Sequence, residues 1–308
     1  MIVKEYEDHY LDNVITLFVE EYKVEFESYK ESFIQFFEHP FQKENCLRIV
    51  AINEDNEIMG FQSFFYWPYT KDNKSYKIYQ SGSSIVSKKA RGKGVFQNML
   101  NFADTMRNKY EIDFFIGFPV EASYKSFMSN GWNNPFDVQW YMKVKNPFGF
   151  LLSWMYPNNN QLSIQGPFSS PELKLENSRE FLDWRRSYQN GKYRIFSFSE
   201  GSMIFEVNHK VNKRKKVFNE LIIGEILMNS TDEAFKDKAF KKYKKWLFFQ
   251  LDISIVSFCT NNENDNLSRR ILDIGLKKLE NKIYFITKYA DLLKQEDCLL
   301  YRSDIDTW

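Results

Sequence analysis

Between residues 83 and 96 the chain reads Ser83-Ser84-Ile85-Val86-Ser87-Lys88-Lys89-Ala90-Arg91-Gly92-Lys93-Gly94-Val95-Phe96. An apolar strand end runs into a loop with two glycines. Behind the loop an amphipathic helix opens, with Phe96, Met99, Leu100 and Ala103 on one face. Glycine lets a backbone approach a phosphate closely. The first turn of a helix adds N–H groups without intrahelical partners, in a dipole that favours negative charge. Arg91 and Lys93 contribute positive charge, so a pyrophosphate is the ligand such a segment suits. Two common nucleotide loops are excluded. Gly94 is not followed by Lys-Ser or Lys-Thr as in a P-loop, and the third glycine of the dinucleotide fingerprint is missing.

Other chemistries find little support. The three cysteines, Cys46, Cys259 and Cys298, and the three histidines, His9, His39 and His209, have no metal-ligand or triad spacing. No metal is expected, and the cysteines suit a reducing compartment. Forty-two basic and 41 acidic residues nearly cancel, which argues against nucleic acid as an obligate partner. The basic runs Lys210 to Lys216 and Lys236 to Lys245 contain or adjoin acidic or amide residues and read as solvated faces. No stretch resembles a signal peptide or is long enough to span a bilayer, so no membrane partner is expected and the expected location is cytoplasmic. The 308 residues are comfortable for two domains.

The elements that must position the loop follow from hydrophobic period. Residues 1–8 read as a short strand, and His9 to Glu38 as two consecutive helices stopped near Pro40. Leu47 to Asn53 and Ile58 to Trp67 form a hairpin, and Lys77 to Val86 is the strand that feeds the loop. A helix follows from Gly94 to Tyr110, then a strand at Asp113 to Phe118, a helix at Glu121 to Ser129 and a strand at Val138 to Val144. Turn formers crowd Asn146 to Pro171. Beyond them come a helix at Arg179 to Tyr188, a hairpin of Tyr193 to Phe198 with Met203 to Val207, and a strand at Leu221 to Leu227. A Lys-rich helix at Asp232 to Leu247, a strand at Ile253 to Phe258, a helix at Asn266 to Leu279 and a strand at Lys282 to Thr287 complete the chain. The expected domains are therefore 1–150 and 172–308, joined by a linker at 151–171. Both are α/β, with a mixed, mostly antiparallel central sheet flanked by helices.

Val86 to Phe96 resembles the signature of the GNAT superfamily of N-acyltransferases, Arg/Gln-x-x-Gly-x-Gly/Ala. Ile112 to Trp132 resembles the same family's next strand and helix, with Gly131-Trp132 matching its Gly-aromatic ending. The resemblance implies two tandem GNAT-like domains, the second degenerate because it lacks the glycine loop. It also implies that acyl-CoA is the co-substrate. The N–H groups of Arg91, Gly92, Lys93, Gly94, Val95 and Phe96 would bind its pyrophosphate. The backbone near Ser84, Ile85 and Val86 would hold the pantetheine arm and polarise the thioester carbonyl. Two positions depart from the pattern. Phe96 stands where the signature ends in a small residue, so its ring must turn away from the cofactor. Phe127 stands where many members carry the tyrosine that protonates the departing thiolate, with Tyr124 or Ser123 one turn earlier as substitutes.

Direct attack of an amine on a thioester needs a polarised carbonyl and a route for protons. The strand before the loop offers Gln80 and Ser84 for a water relay but no carboxylate; carboxylates elsewhere are Glu25, Glu121 and Asp137. Phe181-Leu182-Asp183-Trp184-Arg185 and Asp304-Ile305-Asp306-Thr307-Trp308 resemble segments of tandem GNAT proteins of surface-polysaccharide pathways. That resemblance implies that an acetyl or short hydroxyacyl group passes to the amino group of a nucleotide-linked amino-deoxy sugar. Trp67, Trp184, Arg185 and Arg186 would meet this acceptor, and the second domain would shape its site. An aminoglycoside-like, peptide or protein amine, or a catalytically silent acyl-CoA-binding protein, are the other readings.

Overall fold

In a computed structural model the chain is described at residues 1–149, 172–188, 193–198, 201–211, 217–228, 232–290 and 293–305. The expected linker 151–171 and the end of the tail, Asp306 to Trp308, lie outside the described residues. The chain divides into two compact units. The first comprises Met1–Phe136 and Tyr284–Leu293, and the second Asp137–Ile283 and Lys294–Trp308.

The first unit opens with β1 (Ile2–Glu5), α1 (Leu11–Tyr22) and α2 (Phe26–Phe37). The meander β2 (Cys46–Ile52), β3 (Ile58–Lys71) and β4 (Lys74–Val86) follows, then α3 (Val95–Met106), β5 (Phe114–Gly117) and α4 (Glu121–Ser129). Neighbouring strands run antiparallel except β4 and β5, which are parallel. The helices cover both faces of this sheet because its strands are apolar on both. Phe61 of β3 packs on Phe18 of α1 and Phe33 of α2. On the opposite face Leu47, Ile49, Phe64 and Tyr79 form one core with Met99, Leu100 and Ala103 of α3 and Phe127 of α4.

The second unit repeats this order. After β6 (Asn133–Val144), whose residues from Asp137 belong here, come the two-residue β7 (Lys174–Leu175) and α5 (Arg179–Tyr188). A second meander follows, β8 (Tyr193–Phe198), β9 (Gly201–Val211) and β10 (Val217–Met228). Then come α6 (Glu233–Phe249), β11 (Ile253–Thr260), α7 (Asn266–Leu272) and β12 (Lys277–Lys288). β10 and β11 are parallel, as β4 and β5 are. Phe240, Tyr243 and Leu247 of α6 and Ile271 of α7 pack on Leu221, Ile223, Val256 and Phe258 of the sheet. No described helix is long and apolar enough to cross a membrane.

Two expectations change. The helix expected to reach Leu279 ends at Leu272, because Gly275 takes a φ of +92° and turns the chain into β12. A cut near residue 150 also does not describe the units. Gln139 to Val144 pair with β11 in the second unit, while Ile286, Thr287 and Lys288 pair with Gly117, Ile116 and Phe115 of β5 in the first. Each half thus takes the last strand of its sheet from the other half of the chain.

Lys288 secures the returning strand. Its nearly buried ammonium donates to Asp104 Oδ2 of α3 (2.6 Å) and to the Asn130 carbonyl (2.7 Å) and Oδ1 (3.0 Å) after α4. Lys288→Met leaves these acceptors without their shared donor and should cost about 1–3 kcal/mol. Pairing it with Asp104→Asn should recover part of that loss. Urea denaturation of the single and double variants measures both quantities.

Candidate functional site

Four register pairs join β4 to β5, from Ile78 with Phe114 to Ser81 with Gly117. β5 stops there, and β4 runs on from Gly82 to Val86 with β3 as its strand partner. One edge of that extension therefore presents backbone N–H and C=O groups to whatever enters beside it. The extension is bulged. Register passes from Phe61–Ile85 to Ser63–Gly82, so Ser83 and Ser84 together oppose Gln62, and Ser83 accommodates the extra residue with a φ of 48°.

Gln62 ties the bulge together. Its buried amide donates to Ser81 Oγ (3.0 Å) and the Ser63 carbonyl (2.6 Å) and accepts a hydrogen bond from the Ser84 hydroxyl. The sequence alone does not single out this residue. A lone glutamine inside an apolar strand was its only signal, and the pairing that makes it important depends on register.

Beyond Val86 the chain passes through a short 3-10 turn, Lys88–Ala90, and enters α3 at Gly94. Gly92 and Gly94 both lie in the left-handed region, at φ +76° and +72°, and a Cβ at either would meet no atom within 4 Å. The loop therefore borders open space, and its glycines serve the backbone turn. No side chain caps α3, whose first intrahelical bond is Asn98 N–H to the Gly94 carbonyl (3.0 Å). The N–H groups of Val95, Phe96 and Gln97 thus point ahead of the helix. Gly60 of β3 brings this terminus close to the sheet, since a Cβ there would lie 3.0 Å from Met99 and 3.1 Å from Val95.

Arg91 braces the loop rather than projecting into the open space. Its guanidinium meets Glu21 Oε2 of α1 at 2.8 Å and donates to the Val86 carbonyl (3.3 Å). The hydrogen bond from Arg91 holds the partly exposed Glu21 carboxyl below its ordinary range. Lys93 is exposed. Phe96 turns its ring edge-on to Phe127, 5.2 Å between centroids, so the aromatic pair packs the joint between α3 and α4.

The expected proton-moving residues separate. Gln80 is fully buried, and neither polar atom of its amide has a hydrogen-bond partner among the described residues. It stands opposite Phe65 in the register, on the face that Phe65 packs against Phe36 of α2. Tyr124 is partly buried on α4, its ring 4.3 Å from that of Tyr284 and its hydroxyl 3.5 Å from Asn134 Oδ1. Ser123 donates to the Val120 carbonyl. Glu25 caps α2, accepting from the N–H groups of Glu27 (3.0 Å) and Ser28 (2.6 Å), which commits both carboxylate oxygens to the helix start. Glu121 is exposed in the first turn of α4, and Asp137 pairs with Lys282 at 2.7 Å.

The expected acceptor residues are largely core. Trp67 is fully buried with its ring 5.5 Å from Phe65. In the second unit Trp184 and Arg185 are also fully buried, and the Arg185 guanidinium reaches the Ile305 carbonyl at 3.3 Å. Arg186 is partly exposed beside Asp183, 3.8 Å away. Apolar spacing cannot distinguish a ring that lines a cleft from one that fills a core, and here the core took three of the four.

The second unit holds a counterpart of the parting strands. β10 carries one extra residue, Gly224, between the pairs Ile223–Phe205 and Glu225–Ile204, and its pairing with β11 ends at Ile223 with Phe258. Tyr301 bridges Thr260 at the end of β11, while Ser303 donates to Glu225 of β10 at 3.2 Å. The chain's own segment 300–305 thus lies where these strands part. Asn177 also donates to Glu225 (2.7 Å), and burial pushes that carboxyl above its ordinary value. At the start of α6 the Asp232 carboxylate accepts from Phe235 N–H at 2.8 Å, putting negative charge where α3 has none.

No protein-family model and no curated protein matches the sequence. Solved structures do match. A probable N-acyltransferase from Enterococcus faecalis is similar over 94% of this chain and 73% of its own, with a TM-score of 0.64 and 12% identity. A GCN5-related N-acetyltransferase from Anabaena variabilis is similar over 94% of this chain and 72% of its own, at 0.60 and 10%. The N-myristoyltransferase of Saccharomyces cerevisiae, solved with bound myristoyl-CoA, is similar over 94% and 78%, at 0.51 and 12%. Gly94 and the parting of β4 from β5 therefore sit in a chain with the fold of the GCN5-related N-acetyltransferases, and the likeness spans both units.

Proposed function

We propose that the protein is an acyl-CoA-dependent N-acyltransferase acting on a small-molecule amine. The observation that carries this reading is the uncapped, glycine-opened start of α3, set where β4 outruns β5. The N–H groups of Arg91, Gly92, Gly94, Val95 and Phe96 bind the pyrophosphate, that of Lys93 being bonded to the Ala90 carbonyl (3.3 Å), and the positive end of the α3 dipole favours its charge. Gly82 to Val86 offer their edge to the pantetheine arm as β5 no longer does. A β4 amide beside the bulge donates to the thioester carbonyl, whose oxygen gains charge as the amine attacks. The amine nitrogen bonds to the carbonyl carbon, the carbon–sulfur bond breaks, and the thiolate takes a proton from Tyr124. The amine's own proton leaves to water beside Ser84 at the bulge, and Gln80, buried on the α2 face, is not proposed in this step.

The finer reading, a nucleotide-linked amino sugar as acceptor, rests on the two segments of the second unit that carry its resemblance. Their meeting, Arg185 on Ile305, supports that reading. The buried Trp67, Trp184 and Arg185 are not proposed as its contacts, which leaves Arg186. Asp232 and segment 300–305 argue that the second unit binds no acyl-CoA of its own.

Gly94→Glu places a carboxylate beside the proposed pyrophosphate position. Calorimetry should then find no CoA binding in a protein whose circular dichroism is unchanged, whereas Gly94→Ala should cost about 1 kcal/mol of stability through backbone strain. Unaltered affinity in folded Gly94→Glu would refute the loop assignment. The same titration of the unaltered protein should give one CoA per chain, and a value near two would remove the silent role of the second unit.

Tyr124→Phe should lower kcat by about 100-fold with the KM for acyl-CoA unchanged. If CoA thiol release is as fast as before, Tyr124 is not the acid. A panel of nucleotide amino sugars, aminoglycosides and peptide amines, with thiol release as the readout, distinguishes the acceptors. For the nucleotide sugar reading to hold, Arg186→Ala must raise the KM of that acceptor by about tenfold and leave that of acyl-CoA alone.

A further inference from the structure

Between residues 238 and 251 the second unit carries five lysines, at 238, 241, 242, 244 and 245, and no acidic residue. The acids of the first turns of α6 are engaged locally, Glu233 with Lys236 and Arg270 and Asp237 with Arg270. Lys238, Lys241, Lys242 and Lys245 follow the spacing of one helix face, and the same face ends in Phe248 and Phe249. Ala239, Phe240, Tyr243 and Leu247 fill the opposite, buried face. Phe248 is 70% exposed, Phe249 57% and Leu251 48%. A neighbouring turn brings a fourth apolar side chain. Asn146 donates to the Leu251 carbonyl, and Phe148 two residues on is 67% exposed.

In water this arrangement has two costs. Lys241 and Lys245, like charges four residues apart, destabilise the helix, and exposed rings gain nothing from burial. Against an anionic bilayer both costs reverse. The heads of Lys241 and Lys245 meet lipid phosphates, while the phenylalanine rings sink below the headgroups. A nucleic acid would leave Phe148 and Leu251 in water and would meet a chain of net charge +1.

We propose that the lysine face of α6 and the apolar end formed by Phe148, Phe248, Phe249 and Leu251 dock this protein on an anionic phospholipid surface. The sequence alone reads the lysine run as a solvated face, and its exposed aromatic end is what overturns that reading. The contact is peripheral, because α6 remains part of a folded core.

The test is sedimentation of the full chain with vesicles of phosphatidylcholine alone or with about 30% phosphatidylserine, at two salt concentrations. Binding is expected to the anionic vesicles only and to weaken as salt screens the lysines. Phe248→Ser with Phe249→Ser should lower the partition coefficient more than tenfold. Lys241→Gln with Lys245→Gln should lower it about tenfold or more and weaken the salt dependence. Retained circular dichroism and CoA binding certify that each variant is folded, and the lysine pair gives an independent reading if the phenylalanine pair fails to fold. Equal binding to neutral vesicles, or no loss in either folded variant, would overturn the proposal. So would a dimer in gel filtration that the phenylalanine pair abolishes, since that assigns the patch to a second copy.

Discussion

A strand that outruns its parallel neighbour leaves polar backbone along one edge, and such an edge must be paired, hydrated or occupied. In the first unit β4 does this beyond Ser81, and much of the local sequence serves that extension. Gln62 fills the bulge that lets β4 diverge, and Gly60 lets α3 come close to the sheet beside it. Arg91 ties the loop back to α1 through Glu21. Phe96 and Phe127 seal the joint behind the loop with an aromatic contact. The side chains of Gln62, Arg91, Phe96 and Phe127 are thus committed to holding the backbone in place. Along residues 82–86 one backbone edge is left without a strand partner among the described residues.

The second unit shows the same constraint met in another way. Its β10 is bulged and parts from β11, yet the chain satisfies the opening internally. Tyr301 and Ser303 bond into it, and Asp232 neutralises the helix start that follows. Glu225 makes the commitment costly, since its buried carboxyl stays above its ordinary value despite two hydrogen-bond donors. One architecture therefore yields an open slot or a packed joint, depending on a few polar residues and the course of one terminal segment.

Much of this was legible in the sequence because it is local. The glycine loop, the amphipathic period of α3 and the Gly131-Trp132 ending are determined within a turn or two of chain, and α4 and α5 fall where the period places them. What escaped was non-local. Val138 to Val144 reads plainly as a strand, but nothing in its alternation says that its partner is β11. Register, not composition, gives Gln62 its three hydrogen bonds. Burial likewise depends on distant neighbours, so Trp67 and Trp184 carry the same sequence signal as cleft-lining aromatics and are core instead. Glu25, read as a free carboxylate, is a helix cap because the chain leaves α1 at Lys23 with a left-handed turn and restarts two residues later.

The exchange of terminal strands bears on how the protein is made. A ribosome releasing the first 150 residues has delivered β5, whose outer partner, Ile286 to Lys288, is not yet synthesised. Until then the first unit presents an open sheet edge, and Gln139 to Val144, in the strand that follows α4, await a partner, β11, that is also not yet synthesised. Domain-by-domain folding during translation is therefore closed to this chain, and completion of either sheet waits until nearly the whole polypeptide has emerged. In the interval the outer edge of β5 offers the unpaired backbone that edge-to-edge association uses. The same topology binds the two halves into one folding event, so neither can be shed or separately exchanged over evolution without leaving the other a strand short.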